Sequence, residues 1–432
     1  MAKPSRFDLV IVGAGPAGLS AAVAAARHGA TVCVLDRASA AGGQVWRRDI
    51  RHARGAVPPR LWRAVQEGAG ITMRASTQVV GADGSKRLLV AGIDSGALRT
   101  LEYQGLVLAT GARELMLPFP GWTLPGVSGA GGLQALVKGG VTVAGQRVVV
   151  AGSGPLLWAC ADTIARHGAE LVAIVEAVPA RALAGFAAGL WRYPSKLAQA
   201  VSFRARQLGT RVITSGQILR ALGDERVEGV ELRCGARRLE LSCDRIAYGL
   251  GLIANVELGA ALCCGTVADD FAEVAIAVDA RQRTSVSGVY AAGECTGSRG
   301  AELAAVEGAI AGLEFVGRFD LDGAEARARR RWRAFSARVG RCFAVDRHWA
   351  AEAARDAVVC RCEDVAFSEL SGCSSWDEGK RLTRCGMGPC QGRMCGAATR
   401  ALLGWGPAWV RGPLIPTGLR ALAGDEGINN DE

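Results

Sequence analysis

Phe7-Asp-Leu-Val-Ile-Val-Gly-Ala-Gly-Pro-Ala-Gly18 decides how this chain folds. The apolar run Phe7 to Val12 is of the kind buried in a parallel sheet, and Gly13, Gly15 and Gly18 stand where a strand turns sharply into a helix. An Ala-rich helix toward His28 follows, then the strand Thr31-Val-Cys-Val-Leu35 and an acid, Asp36. In such a unit the first glycine permits the tight turn, the second lets backbone approach a pyrophosphate, and the third lets helix and strand pack closely. The acid about 20 positions further on accepts from a ribose hydroxyl. The stretch therefore predicts a dinucleotide site, with Gly13, Ala14, Gly15, Pro16, Ala17 and Gly18 around the phosphates and Asp36 and Arg37 at the ribose.

A second copy of the unit runs Arg147-Val-Val-Val-Ala-Gly152-Ser-Gly154-Pro-Leu-Leu157, with a helix toward His167 and a strand Leu171 to Val175 that ends in Glu176. Leu157 occupies the position of the third glycine, and no arginine follows the second strand to receive a 2′-phosphate. The second fold is expected to form, but NAD(P) is an unlikely occupant. After Leu250-Gly251 the sequence returns to strand-like pieces, and Ser287-Gly-Val-Tyr-Ala-Ala-Gly293-Glu294 leads into a helix from about Ala301 to Val316, which reads as the first domain resuming after an insertion. The expected architecture is α/β: two Rossmann-like dinucleotide-binding domains, one (119–265) inserted in the other (1–118 and 266–320). A linker helix (321–356), a small cysteine-bearing domain (357–423) and a disordered polar tail (424–432, Gly424 to Glu432) complete it.

With 432 residues, 50% of them hydrophobic, the chain can bury a large core, which excludes a disordered or fibrous protein. The net charge is +10, but 46 of the 51 basic residues are arginines scattered along the chain, a compositional bias rather than a patch. The one dense run, Arg327 to Arg333 around Trp332, reads as a solvated helix face or a docking surface between domains, and no nucleic-acid motif accompanies it. Leu9 to Ala26 carries no charge and follows a basic start, yet its glycines and proline fit a strand-to-helix turn better than a leader or a span. A cytoplasmic protein with no transmembrane segment is expected, in which fourteen cysteines are mostly free thiols plus a metal centre.

Four of those cysteines form two close pairs, Cys360-x-Cys362 and, after 27 residues, Cys390-x4-Cys395. The first pair ends an apolar run, Val358-Val-Cys360; the second sits in the Gly-rich turn Gly386-Met-Gly-Pro-Cys390-Gln-Gly-Arg-Met-Cys395-Gly396, whose free amides are suited to sulfur ligands. Spacing alone admits zinc or an iron–sulfur cluster. Cys373 and Cys385 are spare thiols nearby, and Cys385 is left out of the ligand set because pairing it with Cys390 would strand Cys395. Adjacent Cys263 and Cys264 read as packing residues. No cysteine pair follows Gly42-Gly43 or sits in the second domain at the spacing of a redox disulfide.

Ala41-Gly42-Gly43-Gln44 and Ala109-Thr110-Gly111-Ala112, in their order between the first fingerprint and Gly293-Glu294, resemble the glutathione-reductase-like flavoproteins with two dinucleotide domains. The resemblance implies FAD, with Gly43 and Gln44 on the flavin side, Thr110 and Gly111 on the nucleotide side, and Gly293 and Glu294 beside the ribityl and pyrophosphate groups. Glu294 stands where such proteins usually have Asp. Cys360-Arg-Cys-Glu363 and the Gly386 to Cys395 turn resemble the small [2Fe–2S] domain related to bacterioferritin-associated ferredoxin, which implies Cys360, Cys362, Cys390 and Cys395 as cluster ligands.

Ala109-Thr-Gly-Ala-Arg-Glu114 running into Pro118-Phe-Pro-Gly-Trp-Thr-Leu-Pro-Gly126, with Gly152-Ser-Gly-Pro-Leu-Leu157, is more specific. Almost the whole chain resembles the FAD- and iron–sulfur-containing subunit of heteromeric amino-acid dehydrogenases, a family of opine oxidases, hydrogen cyanide synthase, dye-linked proline dehydrogenases and D-hydroxyproline dehydrogenase. The resemblance implies a separate flavoprotein partner that oxidises a C–N bond, an external electron acceptor, and no catalytic side chain here. FMN at the subunit interface occurs in some members, and cis-4-hydroxy-D-proline is the preferred substrate type. Arg411-Gly-Pro-Leu-Ile-Pro416 departs from the more Pro-rich family stretch. The rival readings are a self-contained NAD(P)H-dependent flavoprotein reductase and a zinc-bearing, flavin-binding interaction protein. His28, His52, His167 and His348 sit beside no recognisable catalytic motif.

Overall fold

In the computed structural model, which describes residues 5–52, 57–82, 86–268, 274–297, 300–344, 352–406 and 410–419, the opening strand Ser5–Val12 lies inside a seven-stranded sheet. It pairs in parallel with Val32–Leu35 on one side and Leu98–Leu108 on the other, and Leu9, Val10 and Ile11 are fully buried. Burial on both faces is why this run is uniformly apolar instead of alternating. Ile71–Arg74 extends the parallel part, Arg87–Gly92 and Thr77–Ala82 add antiparallel strands, and Val289–Ala291 returns from far along the chain to join Leu98–Leu108. The uncharged stretch from Leu9 to Ala26 is thus strand, turn and helix, and no described helix is long and apolar enough to cross a membrane.

Helix Pro16–Ala26 starts at Gly15 and is crossed by helix Ala301–Phe315. The crossing is close because glycine permits it: a methyl on Gly308 would fall 1.9 Å from the Ala17 carbonyl oxygen, and one on Gly312 would fall 2.4 Å from that of Ala21.

The second unit is a five-stranded parallel sheet ordered Arg211–Thr214, Glu170–Glu176, Arg147–Gly152, Arg245–Gly249, Val127–Gly129. A three-stranded antiparallel sheet, Gly216–Leu222, Gly229–Cys234 and Arg237–Ser242, packs its Ile218, Val230 and Leu232 against Val149, Ala173 and Val175. The chain enters this unit through Ala112–Glu114 and leaves it through Leu252–Ala254, and these two segments pair antiparallel as a two-stranded connection. Leu258, Leu262 and Cys264, which fall within the 119–265 segment drawn from the sequence, pack in the core of the first sheet with Leu108 and Ile276.

Helix Ala324–Cys342, the Arg-rich segment, lies between the domains. Arg329 is 7% exposed and donates to the carbonyls of Ala280 at 2.6 Å and Asp279 at 3.2 Å, while Arg333 pairs with buried Glu307 at 3.3 Å. Its other side stacks Trp332 and Phe335 with Tyr193, and Phe343 beyond its end meets Phe186 edge-on at 5.2 Å. Of the two readings of the run, the structure shows the docking surface.

Beyond it, strands Val358–Cys360 and Val365–Ala366 pair antiparallel, followed by helices Phe367–Leu370, Trp376–Thr383 and Cys395–Leu403. Val359, Leu370, Trp376, Ala398 and Trp405 share one hydrophobic cluster with Phe119, Trp122 and Tyr248 of the second unit. The tail Gly424 to Glu432 lies outside the described residues.

Two glycine-to-alanine changes should move stability in opposite directions. Gly308→Ala should lower it by about 1–3 kcal/mol, as expected for overpacking. Gly185→Ala, within helix Ala180–Ala188 and with nothing within 4 Å of the added methyl, should raise it by about 0.5–1 kcal/mol. Chemical unfolding of the two variants beside the parent chain measures both.

Candidate functional site

The first fingerprint stands at the carboxyl ends of the parallel strands. Gly13 takes φ +110° and leaves no room for a side chain, since a methyl there would lie 2.1 Å from the Ala109 carbonyl oxygen. Gly18 is equally constrained by the Gly13 carbonyl at 1.8 Å, with Ala14, Pro16 and Ala17 buried around the turn. Gly15 differs: a methyl on it would meet only the Cα of Gly43, at 3.9 Å, so the helix N-terminus lies beside a second glycine turn. That is the cradle a pyrophosphate requires.

Asp36 is half-buried at the end of its strand and accepts from the amides of Ala14 at 2.6 Å and Ala38 at 2.7 Å. It ties the turn to its own strand, and each carboxylate oxygen keeps a lone pair for a ribose hydroxyl. Arg37 and Gln44 are exposed, with Gln44 accepting from Arg47 at 3.1 Å. Gly293, at φ +78°, lies against Ala17 and Ala304, and Glu294 accepts from the Gly300 amide at 2.8 Å.

Thr110 and Gly111 are held by a residue that no sequence motif singles out. Thr110 Oγ1 donates to the Asn255 carbonyl at 2.7 Å, Asn255 Nδ2 donates to the Thr110 carbonyl at 2.9 Å, and the Asn255 amide donates to the Gly111 carbonyl at 3.0 Å. Arg113 extends the link. It donates to Asn255 Oδ1 at 2.7 Å, pairs with Glu257 at 2.9 Å, and reaches the Arg393 carbonyl at 3.1 Å. Arg113 lies inside the Ala109 to Glu114 motif, so its signal is present in the sequence; Asn255 and Glu257 carry no local signature.

The second fingerprint differs at its second glycine, where Gly15 of the first has φ −81° and Gly154 has φ +107°. Gly152 and Gly154 adopt φ +139° and +107°, and buried Glu176 accepts from the Gly154 amide at 3.1 Å. Burial raises the Glu176 pKa, against the opposing pull of the Gly154 and Val178 amides. Leu157 is fully buried in the core of the unit. Above Gly154 lies the ring of Phe343, 3.9 Å from where a Cβ would stand, and Ser153 Oγ donates to the Phe343 carbonyl at 3.1 Å.

Beside the Arg393 carbonyl lies the thiol cluster. The sulfurs of Cys360, Cys385 and Cys395 are buried and within 4.8 Å of one another. Cys362 packs against Gly388 and hydrogen-bonds with Cys390 on the outer side. The structure thus brings Cys385, excluded from the ligand set in the sequence, to the two inner ligands. S–H donation from Cys385, then from Cys395, lowers the Cys360 pKa to about 2, with the Gly386 amide at 3.5 Å assisting. The same bond to Cys360 raises Cys385 to about 12 and raises Cys395 as well. Three buried sulfurs within 4.8 Å of one another are a donor set suited to a metal, whose binding displaces thiol protons. By contrast, burial pushes Cys33 up to about 11 and Cys160, Cys243 and Cys295 up to about 12, which leaves them inert.

The glycines of the thiol turn serve an indole. A methyl on Gly386 or Gly392 would fall 2.5 Å or 2.9 Å from the Trp376 ring, and Trp376 meets Trp405 edge-on at 6.4 Å. Trp122, from the Pro118 to Gly126 motif, donates to the Val358 carbonyl at 2.6 Å, and Arg361 lies 5.5 Å from the Trp122 ring centroid while donating to the Thr123 carbonyl. Between the thiol turn and the first domain opens a cleft of about 900 Å³ lined by Arg113, Lys380, Arg381, Arg393, Arg400 and Arg411 against Glu257 and Asp377.

Residues 7–311 match the pyridine nucleotide-disulphide oxidoreductase family, and the chain belongs to it as an oxidoreductase. Within that class it is an A-type subunit related to those of heteromeric amino-acid dehydrogenases. It is 31% identical to the A-type subunit of opine oxidase from Rhizobium meliloti (strain 1021), covering 97% of this chain and 99% of the relative. It is 32% identical to the HcnB subunit of hydrogen cyanide synthase from Pseudomonas aeruginosa, covering 89% and 90%. The fold is shared with L-proline dehydrogenase from P. horikoshii, with a TM-score of 0.68 at 18% identity over 98% of this chain and 81% of that one.

Cys360→Ala or Cys395→Ala should abolish metal retention, measured as iron and zinc per chain, whereas exposed Cys263→Ala should leave it unchanged. Trp122→Phe removes the bond to Val358 and part of a buried indole, so it should lower stability by about 1–3 kcal/mol without changing metal content.

Proposed function

We propose that this chain is the flavin- and iron–sulfur-bearing electron-transfer subunit of a heteromeric amino- or imino-acid dehydrogenase, whose partner flavoprotein oxidises the C–N bond. FAD is assigned to the Gly13–Gly18 turn, with Asp36 on the ribose, Gly43 and Gln44 on the flavin side and Gly293 and Glu294 beside the pyrophosphate. A [2Fe–2S] cluster is assigned to the thiols, with Cys360 and Cys395 inside and Cys362 and Cys390 outside. The observation that carries the reading is the turn of the second fold, where Leu157 takes the third glycine position and is buried in the core while the Phe343 ring packs on Gly154, an arrangement that favours a structural role over a seat for a nicotinamide phosphate.

Electrons then enter from the partner flavoprotein. When bound, a flavin accepts electrons in pairs, and an iron–sulfur centre carries them singly to an external acceptor. The chain's own residues position and insulate. Asn255 fixes the Thr110–Gly111 turn, Arg113 joins that turn to the thiol loop, and Trp376 with Trp122 seals the thiols on the protein side. The cleft beside them, with six cationic side chains against two carboxylates, suits the phosphate of an FMN held at the partner interface.

Opines are the substrate class supported by kinship with opine oxidase, and cis-4-hydroxy-D-proline is the first cyclic imino acid to test beside them. The complex purified with its partner should reduce an artificial dye on addition of such a substrate, and the isolated chain should not. Rapid flavin bleaching by NADH in the isolated chain would instead establish a self-contained reductase. Zinc without iron, and no reducible cluster by spin resonance, would establish an interaction module.

A further inference from the structure

Outside the thiol cluster, one other group of metal-ligating side chains converges among the described residues, and neither the fold nor the proposed relay uses it. Asp49 and His52 belong to the segment that follows the Gly42–Gly43 turn of the first domain. His167 ends helix Pro155–Arg166 of the second. The segment is laid against the second domain by two bonds from the residues between Asp49 and His52: the Ile50 amide donates to the Lys138 carbonyl at 3.0 Å, and the Arg51 guanidinium donates to the Gly140 carbonyl at 2.7 Å.

Three observations point to a ligand here. First, the atoms are spaced as a coordination sphere spaces them. His52 Nδ1 and His167 Nε2 are 3.1 Å apart, and Asp49 Oδ2 is 3.2 Å from the latter and 3.5 Å from the former. Tetrahedral ligands at about 2.0–2.1 Å from a zinc ion stand about 3.3–3.4 Å apart. Second, His167 Nδ1 lies 2.8 Å from the Thr163 carbonyl and donates to it, so in the neutral ring the lone pair is on Nε2, facing the group. A backbone carbonyl that orients the far nitrogen is what metal-bound histidines usually have. Third, Asp49 is 1% exposed. Its Oδ1 takes the amides of Arg51 and His52 and lies 3.3 Å from His167 Nε2, while its Oδ2 is buried, faces the two imidazole nitrogens and accepts no hydrogen bond among the described residues. A buried carboxylate oxygen that accepts no hydrogen bond and faces two ring nitrogens suits a cation held between them. Nor do neighbouring cations fill that role. Arg166 is tied to Asp162 at 3.1 Å, and burial lowers the Lys138 pKa.

We propose that Asp49, His52 and His167 form a three-ligand site for a divalent cation of the zinc type, clasping the segment after the flavin-side turn to the second domain. His52 is 39% exposed along its side chain, so a water reaches the fourth position. Three protein ligands and a water is also the ligand count of catalytic zinc sites.

The test uses the holoprotein with its thiols occupied by iron, so that zinc cannot be held by cysteine. After exposure to zinc and desalting, elemental analysis should find about one zinc per chain beyond the iron. Cobalt in its place should give visible bands without the sulfur-to-cobalt absorption of a thiolate site. Asp49→Asn, which preserves shape, and His52→Ala, at a partly exposed position, should each weaken uptake by at least about tenfold with iron content unchanged. His167→Ala should abolish it. Zinc should raise the melting temperature of the parent chain and not of the variants. No zinc in the parent chain, meaning that the imidazoles and carboxylate merely share a proton, overturns the proposal. Equal zinc in parent and variants overturns it too.

Discussion

One guanidinium joins three parts of the chain that are far apart in sequence. Arg113 leaves the first domain on the outgoing strand of the two-stranded connection, holds Asn255 and Glu257 on the returning strand and the helix after it, and reaches across to the Arg393 carbonyl in the thiol turn. An arginine suits this position because its planar donors serve several acceptors in fixed directions at once, which an ammonium cannot do with the same definition. The Thr110–Gly111 turn, the connection to the second domain and the thiol turn are therefore linked through a single side chain. Any displacement of one is felt by the other two.

The two nucleotide folds show how one backbone plan takes two fates. Both turns use glycines at positive φ, and both lead into a helix that begins with proline. In the first, small residues continue into the helix and the neighbouring turn is glycine too. In the second, Leu157 commits the third position to the core, and the ring of Phe343, just past the interdomain helix, packs on the turn. The second fold also carries the antiparallel sheet and shares its interior with the thiol unit.

Much of the architecture is legible in the sequence because local backbone demands are written in local composition. A strand buried on both faces must be apolar throughout, and a turn at φ +110° with a carbonyl 2.1 Å from the missing Cβ must be glycine. Partnerships over long separations leave no such trace. Asn255 is 142 residues from Arg113, and His167 is 115 from His52, so nothing in either neighbourhood announces the meeting. Spacing sets Cys385 aside, yet the short helix Trp376–Thr383 and the left-handed Arg384 after it turn its sulfur inward to Cys360 and Cys395. Spacing counts residues along the chain, while the sulfurs respond to where a helix ends. The extent of the second domain is blurred for a similar reason: Leu258 and Leu262 look like any apolar helix until the sheet they cover is known.

The continuous packing from Phe119 and Trp122 through Val359 and Trp376 to Trp405 bears on how the protein is made. A thiol unit that shares its interior with the preceding domain is not a detachable cassette. Its cysteines are seated against that domain, so whatever they hold depends on the domain having formed. A ribosome that stopped before Val358 would release a protein with an apolar wound where Trp122 now rests. A thiol turn that failed to close would likewise be reported to the second domain as a packing fault, and cellular quality control would have something to recognise.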